Sequence, residues 1–213
     1  MLIFQTARSR SEDQVANILD AVTPLFAEKG YDGVTTRELA AAAGLNIATV
    51  HHHLGTKGEV YRRVVARLQE QELRLAQTFA EETAGRPLPD ARAFRDLLFE
   101  LMDRLLEQMA KDPARARLYV RRWLSPDDVA RPDSERNAAA FQQVLTEIFE
   151  RAARAGMPMP AVDVPMLLRS FDWLVLGYFV TGLESRETFD ERAVARFREF
   201  LRKYLCRMLG LPE

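Results

Sequence analysis

The sequence predicts an all-α protein, and three observations support that prediction. Long segments are rich in Ala, Leu, Glu and Arg, apolar residues recur at steps of three and four, and glycine and proline fall mainly in short clusters between those segments. With 213 residues, of which 47% are apolar and 29% charged, the chain is long enough to bury a core without cross-links. We therefore expect helices packed on helices, with no strand.

The first predicted helix runs from Ser11 to Lys29 and follows an N-terminal arm at 1–10. Its apolar residues form one stripe along the helix, and Gly30 ends it because glycine readily takes the left-handed conformation. Pro24 interrupts the stripe. Since proline removes a backbone hydrogen bond, we expect a kink or a restart of the helix there.

Two shorter helices follow, each with its own start signal. The second helix, at about 36–43, begins with a capping box of Thr35 and Glu38, in which the hydroxyl and the carboxylate each satisfy a free backbone amide. The third helix is capped by Asn46, ends at about residue 54, and is too short to be stable alone. Both must therefore share a core with their neighbours.

Six longer helices complete the predicted chain, separated by breaks that contain proline, glycine or aspartate. The first of them starts at a second capping box, formed by Thr56 and Glu59. The six helices are expected at about 56–84, 91–110, 113–124, 134–155, 163–182 and 188–209. The longest apolar run, from Trp173 to Val180, falls short of the roughly 20 residues that a membrane span needs, so no membrane segment is predicted.

The second and third helices, joined by a tight turn that contains glycine, have the layout of a helix-turn-helix. Leu39 and Ala40 supply the inner face of the second helix, and Leu45 and Val50 supply that of the third. A helix of this kind fits the major groove of DNA, where the base edges are distinguishable. The residues that it would turn outward are Asn46, Ile47, Ala48, Thr49, His51 and His52.

The stretch from Ile18 to Val65 resembles the DNA-binding region of the TetR family of transcriptional regulators. It contains LFAEKGY at the end of the first helix, TT and AG around the turn, and GTKGE at the start of the fourth helix. The positions that match the family pattern are Glu28, Lys29, Gly30, Tyr31, Thr35, Ala40, Ala43, Gly44, Thr49, His52, Gly55 and Lys57. The chain departs from that pattern at His51 and His53, where the family commonly has tyrosines, and at Leu54, where it has phenylalanine.

The resemblance implies a three-helix helix-turn-helix domain at 11–57, followed by a six-helix ligand-binding (effector) and dimerisation domain at 58–213. It also implies a homodimer, formed by the last two helices at about 163–182 and 188–209. Such a dimer would repress transcription from a palindromic operator in double-stranded DNA and would be released by a small-molecule effector. The residues that the resemblance places at the DNA are Thr36, Arg37, Asn46, Ile47, Ala48, Thr49, His51, His52, His53 and Lys57.

Charge in the predicted DNA-binding region is balanced overall but uneven along the chain. From Met1 to Val65, seven cations offset seven acids, whereas from Gly33 to Val65 four cations face two acids. A dimer would double this excess. It would then contribute the salt-dependent phosphate binding that affinity for DNA needs.

The three consecutive histidines, His51, His52 and His53, raise the separate question of a metal or catalytic site. Neighbouring helix residues point about 100° apart, so the three side chains cannot converge on one ion. No serine, cysteine or carboxylate constellation recurs near them, so the run predicts no catalytic residue, no metal and no cofactor. For His53, a structural role and a DNA contact both remain open.

In the larger region, the candidate ligand-binding residues are Trp123, Arg169, Asp172 and Trp173. Arg169 and Asp172 lie three apart in an otherwise apolar helix, where a buried charge must be paired or must meet a ligand. An internal ion pair is favoured for these two, and core positions are favoured for the tryptophans. The arginines of RARLYVRRWL, which begins at Arg115, are expected to form a solvated helix face.

Two alternatives to a ligand-released repressor remain open on the sequence. One is a DNA-binding regulator that responds to a protein partner or to nothing. The other is a helical enzyme, although the C-terminal region has no histidine and its one thiol is that of Cys206. A single cysteine excludes an intramolecular disulfide and no long apolar leader precedes the first helix, so the expected location is the cytoplasm.

Overall fold

The computed structural model describes residues 2–124, 129–157, 163–184 and 191–213, and at 2–12, 134 and 182–184 it describes the backbone alone. These described residues form nine α-helices and no strand, which confirms the predicted all-α class. The helices are α1 Leu2–Gly33, α2 Thr36–Ala42, α3 Ile47–Leu54, α4 Lys57–Thr83, α5 Ala91–Lys111, α6 Pro113–Leu124, α7 Arg131–Arg154, α8 Val164–Glu184 and α9 Glu191–Leu209.

The first helix differs from its prediction in two ways. It begins at Leu2 rather than at Ser11, because the intervening residues include neither glycine nor proline to stop a helix. It also runs through Pro24, and its backbone leaves helical torsions at Gly30 instead, where φ is 72° and ψ is 178°. The residues two positions before and after the proline are fully buried, so core packing holds the helix together across it.

The other boundaries agree with the predicted ones to within a few residues. α7 begins at Arg131 rather than at Ser134, with Pro132 in its first turn. A proline is tolerated there because the amide that it lacks would have no partner in the helix. The predicted start of the last helix at Thr188 lies outside the described residues.

Both predicted capping boxes are present. The Glu38 carboxylate accepts a hydrogen bond from the backbone amide of Thr35 at 2.8 Å, and the Thr35 hydroxyl accepts one from the Glu38 amide at 3.3 Å. Glu59 and Thr56 make the same exchange at the start of α4, at 2.7 and 3.3 Å. Each box satisfies two amides that a helix start otherwise leaves free, so these local signals fix where α2 and α4 begin.

α2 and α3 pack with α1 and the beginning of α4 around one apolar core. Its most deeply buried side chains include Phe26, Leu39, Leu54 and Val60, each at most 1% exposed. α4 then continues along α7, and α6 packs against both α1 and α8. The N-terminal helices are therefore joined to the rest of the molecule through α4 and through α6.

The last two helices are neighbours that keep an apolar side turned outward. The rings of Tyr178 on α8 and Phe197 on α9 stack with their centroids 3.8 Å apart. By length and composition alone, the stretch Val164–Thr181 could cross a membrane, and 22% of it is buried. On these two helices the exposed large apolar residues are Met166, Trp173, Phe200 and Met208. We call them the α8–α9 face.

Gly55, between α3 and α4, is expected to tolerate no side chain. Its φ is 80°, and a Cβ there would lie 2.2 Å from Oε2 of Glu59, the carboxylate that caps α4. Gly55→Ala should therefore lower the free energy of unfolding by about 2 kcal/mol or more, because backbone strain is added to a broken capping box.

Two glycines provide graded controls for that measurement. Gly44 also has a positive φ, of 66°, but open space around it, so Gly44→Ala should cost about 1 kcal/mol. Gly85 has neither a positive φ nor a close neighbour, so Gly85→Ala should be neutral or slightly stabilising. Urea denaturation of the three variants tests the order, and equal midpoints for Gly55→Ala and Gly85→Ala would contradict it.

Candidate nucleic-acid interface and internal cavity

The third helix presents one buried side and one exposed side. Val50 and Leu54 face the core, at 5% and 1% exposed, whereas Ile47 is 46% exposed. The exposed residues of α3 and its cap are Asn46, Ile47, Ala48, His51 and His52. An apolar side chain held in water beside donors and acceptors suits contact with a base edge that carries a methyl group.

Asn46 caps α3 as predicted, and the cap also engages Thr49. The Asn46 Oδ1 atom accepts hydrogen bonds from the backbone amide of Thr49 at 2.8 Å and from its hydroxyl at 2.9 Å. Thr49 is half-buried. Its hydroxyl therefore holds the first turn of α3 in place, while the Asn46 amide group remains exposed.

The three histidines differ in exposure. His51 and His52 are exposed, whereas His53 is half-buried and packs edge to face on His52, with ring centroids 5.3 Å apart. Within the described residues, no group of three or more metal-binding side chains is found. Exposure thus favours His51 and His52 over His53 as DNA contacts.

At the start of α2, Thr36 and Arg37 are exposed. The two nearby acids, by contrast, are occupied by helix caps. The hydrogen bond from Lys29, followed by those from Thr35, lowers the pKa of Glu38 to about 2. Hydrogen bonds within its own capping box also lower the pKa of Glu59. Both carboxylates are therefore ionised but directed at backbone amides, which leaves Arg37 as an exposed cation.

Lys57 is a predicted DNA contact, and in the structure its ammonium group is bonded to the protein itself. Its ammonium donates to the backbone carbonyls of Tyr31 and Val34, at 3.1 Å each, and sits 4.3 Å from the centroid of the Tyr31 ring. The side chain is half-buried. It therefore ties the beginning of α4 to the end of α1.

A partly open cavity of about 170 Å³ lies between α4, α5, α6, α7 and α8. Leucine, methionine, phenylalanine, valine and alanine side chains form much of its wall. The polar and aromatic residues that line it are Gln69, Glu72, Gln108, Arg115, Tyr119, Trp123, Asn137, Phe141, Gln142, Phe171 and Asp172. A mostly apolar cavity with a few polar groups is the usual form of a small-molecule site.

A buried polar network crosses one wall of this cavity. Arg115, which is 3% exposed, donates to the Leu68 carbonyl at 3.2 Å and to Oε1 of Gln71 at 2.5 Å. The Tyr119 hydroxyl donates to Oε2 of Glu72 at 3.1 Å. Burial raises the pKa of Glu72 to about 7, even though the charge of Arg115 opposes the shift. The network therefore joins α4 to α6 and contains a carboxyl group that ionises near neutral pH.

The structure brings two of the four predicted ligand-binding residues to the cavity. Trp123 and Asp172 line it, whereas Arg169 is exposed on α8 and is absent from the wall. Trp173 packs on Trp123, with ring centroids 4.7 Å apart.

Three expectations for this region were wrong. The tryptophans are not core residues, since Trp123 and Trp173 are 41% and 45% exposed. Among the described residues, no ion pair joins Arg169 to Asp172: the arginine is exposed, and burial raises the pKa of Asp172 to about 7, although the charge of Arg169 opposes the shift. The expected solvated arginine face is interrupted by Arg115, which α4 and α8 cover.

The sequence prediction missed Glu72, Arg115 and Tyr119. A signal was available for Glu72, because it lies four residues after Leu68 and four before Ala76, both of which are buried. A carboxylate on the apolar stripe of a helix indicates a buried site. No comparable signal marks Arg115, since its neighbours in the sequence include three other arginines.

Comparison with known proteins identifies relatives of both regions. Residues 18–64 match the family model for bacterial regulatory proteins, tetR family. The chain is 28% identical over 166 residues to the HTH-type transcriptional dual regulator CecR of Shigella flexneri, covering 76% of this chain and 72% of CecR. It is 29% identical over 170 residues to the HTH-type transcriptional repressor AcnR of Corynebacterium efficiens, covering 78% of this chain and 79% of AcnR.

The fold is also that of a solved regulator. The transcriptional regulator FadR from Bacillus subtilis, in complex with stearoyl-CoA, superposes with a TM-score of 0.63 at 16% identity, covering 87% of this chain and 96% of FadR. The similarity therefore extends through the C-terminal helices as well as the helix-turn-helix.

Replacing Lys57 should destabilise the domain, because two carbonyls at the end of α1 would lose a charged donor. We expect Lys57→Met to lower the free energy of unfolding by about 1–3 kcal/mol. Arg62→Met, an exposed cation on the same helix, is the matched control and should stay within about 0.5 kcal/mol of wild type. Urea denaturation measures both, and a Lys57→Met midpoint equal to that of Arg62→Met would show that the ammonium contributes no such link.

Proposed function

We propose that this chain is a DNA-binding transcriptional regulator of the TetR family, and that it acts as a homodimeric repressor released from a palindromic operator by a small molecule. Its alignments with CecR and AcnR extend well beyond the helix-turn-helix. The proposed role as a repressor follows that of AcnR, a transcriptional repressor. The proposal includes the cytoplasmic location and involves no catalytic step.

The observation that carries the proposed DNA contact is the exposed side of α3. Ile47 would meet a thymine methyl, and the exposed side chains of Asn46, His51 and His52 would donate to base edges or phosphates. Val50 and Leu54 anchor the opposite side in the core. The helix can therefore enter the major groove without exposing the core.

Phosphate attraction would come from cations outside α3. Arg37 on α2, with Arg62 and Arg63 on α4, is exposed. The acids of this region, Glu38 and Glu59, are directed into capping boxes. In a dimer, this arrangement would contribute the salt-dependent part of the affinity. Lys57 would act indirectly, by fixing α4 to α1.

A dimer supplies the second recognition helix that a palindrome requires. Met166 and Trp173 are seven residues apart on α8, so they lie on one side of that helix. Phe200 and Met208 are eight residues apart on α9, which places them about 80° apart around that helix, within one broad side. Pairing the α8–α9 face with its copy would bury these side chains and give a four-helix interface. The two α3 helices would then read half-sites about 34–36 Å apart.

Release by a ligand needs a connection from the cavity to α3. On α6, Tyr119 and Trp123 line the cavity, and Arg121 donates to the carbonyls of Ala27 and Glu28 on α1, at 3.3 and 2.5 Å. A ligand that displaces α6 would shift the end of α1 and, with it, α2 and α3. The separation of the two recognition helices would then no longer fit the operator.

Binding measurements with two variants separate base reading from phosphate attraction. Wild-type protein first selects its operator from a random DNA library. We then expect Ile47→Ala to weaken operator binding by about fivefold or more and to leave binding to random DNA unchanged. Arg37→Ala should weaken both and reduce the salt slope by about 1 per subunit. Arg92→Ala, which replaces an exposed arginine on α5, is the control. Equal operator affinities for the three variants would contradict the proposed interface.

Substituting the α8–α9 face should dissociate the dimer. Phe200→Asp places a charge at a side chain that is 52% exposed in the single chain, and we expect the dimer dissociation constant to rise about thirtyfold or more. Leu124→Asp, at a residue 73% exposed on α6, is the control. Sedimentation equilibrium distinguishes the outcomes, and a Phe200→Asp protein as dimeric as the control would place the interface elsewhere.

A further inference from the structure

We infer that the cavity binds a small organic cation with one apolar ring, an inference that rests on the proposed release of the repressor by a small molecule. Two carboxyl groups line the cavity from different helices, Glu72 on α4 and Asp172 on α8. One cation, Arg115 on α6, shares the wall with them. The polar side of the cavity is therefore acidic.

Two of the three guanidinium nitrogens of Arg115, Nη1 and Nη2, are already hydrogen-bonded to the protein, whereas its buried Nε has no partner among the described residues. The guanidinium donates to the Leu68 carbonyl and to Gln71, and its contact with Oε1 of Glu72 is long, at 3.5 Å. Asp172 has no hydrogen bond or ion pair with any described residue. Arg115 therefore satisfies part of the charge of Glu72 and none of that of Asp172. A positively charged ligand group would supply the missing partner for both carboxylates.

An uncharged hydrogen-bond acceptor in the cavity also supports a ligand that carries N–H donors. The Gln108 side chain on α5 lines the cavity, and its Oε1 atom is buried with no partner among the described residues. A buried acceptor of this kind costs free energy until a donor reaches it. An ammonium group has several N–H donors and could satisfy the carboxylates and this amide together.

The charge state of the empty cavity also fits a cationic ligand. Burial raises the pKa of Glu72 and of Asp172 to about 7, and each is opposed by one arginine, Arg115 for Glu72 and Arg169 for Asp172. The charge of Asp172 raises the pKa of Glu72 further, and the Tyr119 hydroxyl faces it from α6. The polar groups that α5 and α7 contribute to the described wall are uncharged. A bound cation would favour the ionised carboxylates, so binding would release protons.

The remaining wall selects an organic cation over a metal ion. Phe141, Phe171 and Trp123 provide aromatic surface on which a cation or a ring can pack. A metal ion is disfavoured because the described residues contain no group of three or more His, Cys, Asp or Glu side chains that could hold one. A volume of about 170 Å³ holds roughly one ring, since a cavity of about 150 Å³ accepts benzene.

Three ligands of nearly equal shape test the inference: benzylammonium, benzyl alcohol and benzoate. The protein has two tryptophans, Trp123 at the cavity and Trp173 stacked on it, so intrinsic fluorescence reports occupancy directly. We expect saturable binding of benzylammonium, at least about tenfold tighter than that of either analogue. Its affinity should rise from about pH 6 to about pH 8, because the carboxyl groups ionise in that range while the amine stays protonated.

Variants locate the bound charge. Asp172→Asn should weaken benzylammonium binding about tenfold and flatten its pH dependence, and Glu72→Gln should do the same. Glu70→Gln, an exposed acid two residues away on α4, is the matched control and should bind as wild type does. Circular dichroism and urea midpoints verify that each variant is folded. If one of the two carboxylate variants does not fold, the other decides the test, because each removes one of the two acids that line the cavity.

The outcomes separate this inference from the proposed function. Preference for benzoate or benzyl alcohol, competition by Mg²⁺, or cation binding unaffected at Asp172 would overturn the inference, even if the protein still binds its operator. Conversely, tight benzylammonium binding that depends on Asp172 but leaves operator affinity unchanged would support the cation site. That result would count against ligand release as its role.

Discussion

The end of α1 is the point on which the arrangement of the whole molecule depends. Gly30 breaks the helical torsions there, so the carbonyls near it lose regular helical partners, and that of Tyr31 accepts only a long bond, of 3.4 Å, from the Val34 amide. Two cations from other helices supply donors: Arg121 from α6 and Lys57 from α4. Charged donors make stronger hydrogen bonds than neutral ones. The carbonyls that they satisfy belong to Ala27, Glu28, Tyr31 and Val34.

The two helices that hold the end of α1 are also the two that share the polar network of the cavity. α4 carries Lys57 at its beginning and Glu72 in its middle, while α6 carries Arg115 and Tyr119 at the cavity and Arg121 at α1. The network and the α1 contacts thus lie at different positions along the same pair of helices. In the proposed mechanism, a change in the spacing of α4 and α6 at the cavity reaches α1 through rigid elements, without a flexible intermediate.

Local structure could be predicted from the sequence, whereas the cavity could not. Thr35, Asn46 and Thr56 act within three residues of their partners, so spacing alone identifies them. Arg115 is buried because α4 and α8 cover it, and its partners Leu68 and Gln71 are more than forty residues away in the chain. The same limit explains the tryptophans, whose exposure depends on how α6 and α8 meet. Aromatic composition by itself favours the core.

Glu38 and Glu72 show how the position of a glutamate in the fold sets the pKa of its carboxyl group. In the DNA-binding region, helix starts and Lys29 hold Glu38 ionised, with a pKa lowered to about 2, so its charge is constant at any physiological pH. In the cavity, burial raises the pKa of Glu72 to about 7, and ionising it costs free energy that the fold does not fully offset. The charge of the Glu38 carboxylate is therefore fixed, while that of the Glu72 carboxyl group, which a ligand would meet, is adjustable. A ligand that stabilises the ionised cavity can alter the packing of α4 and α6 without disturbing the electrostatics of the surface that would read DNA.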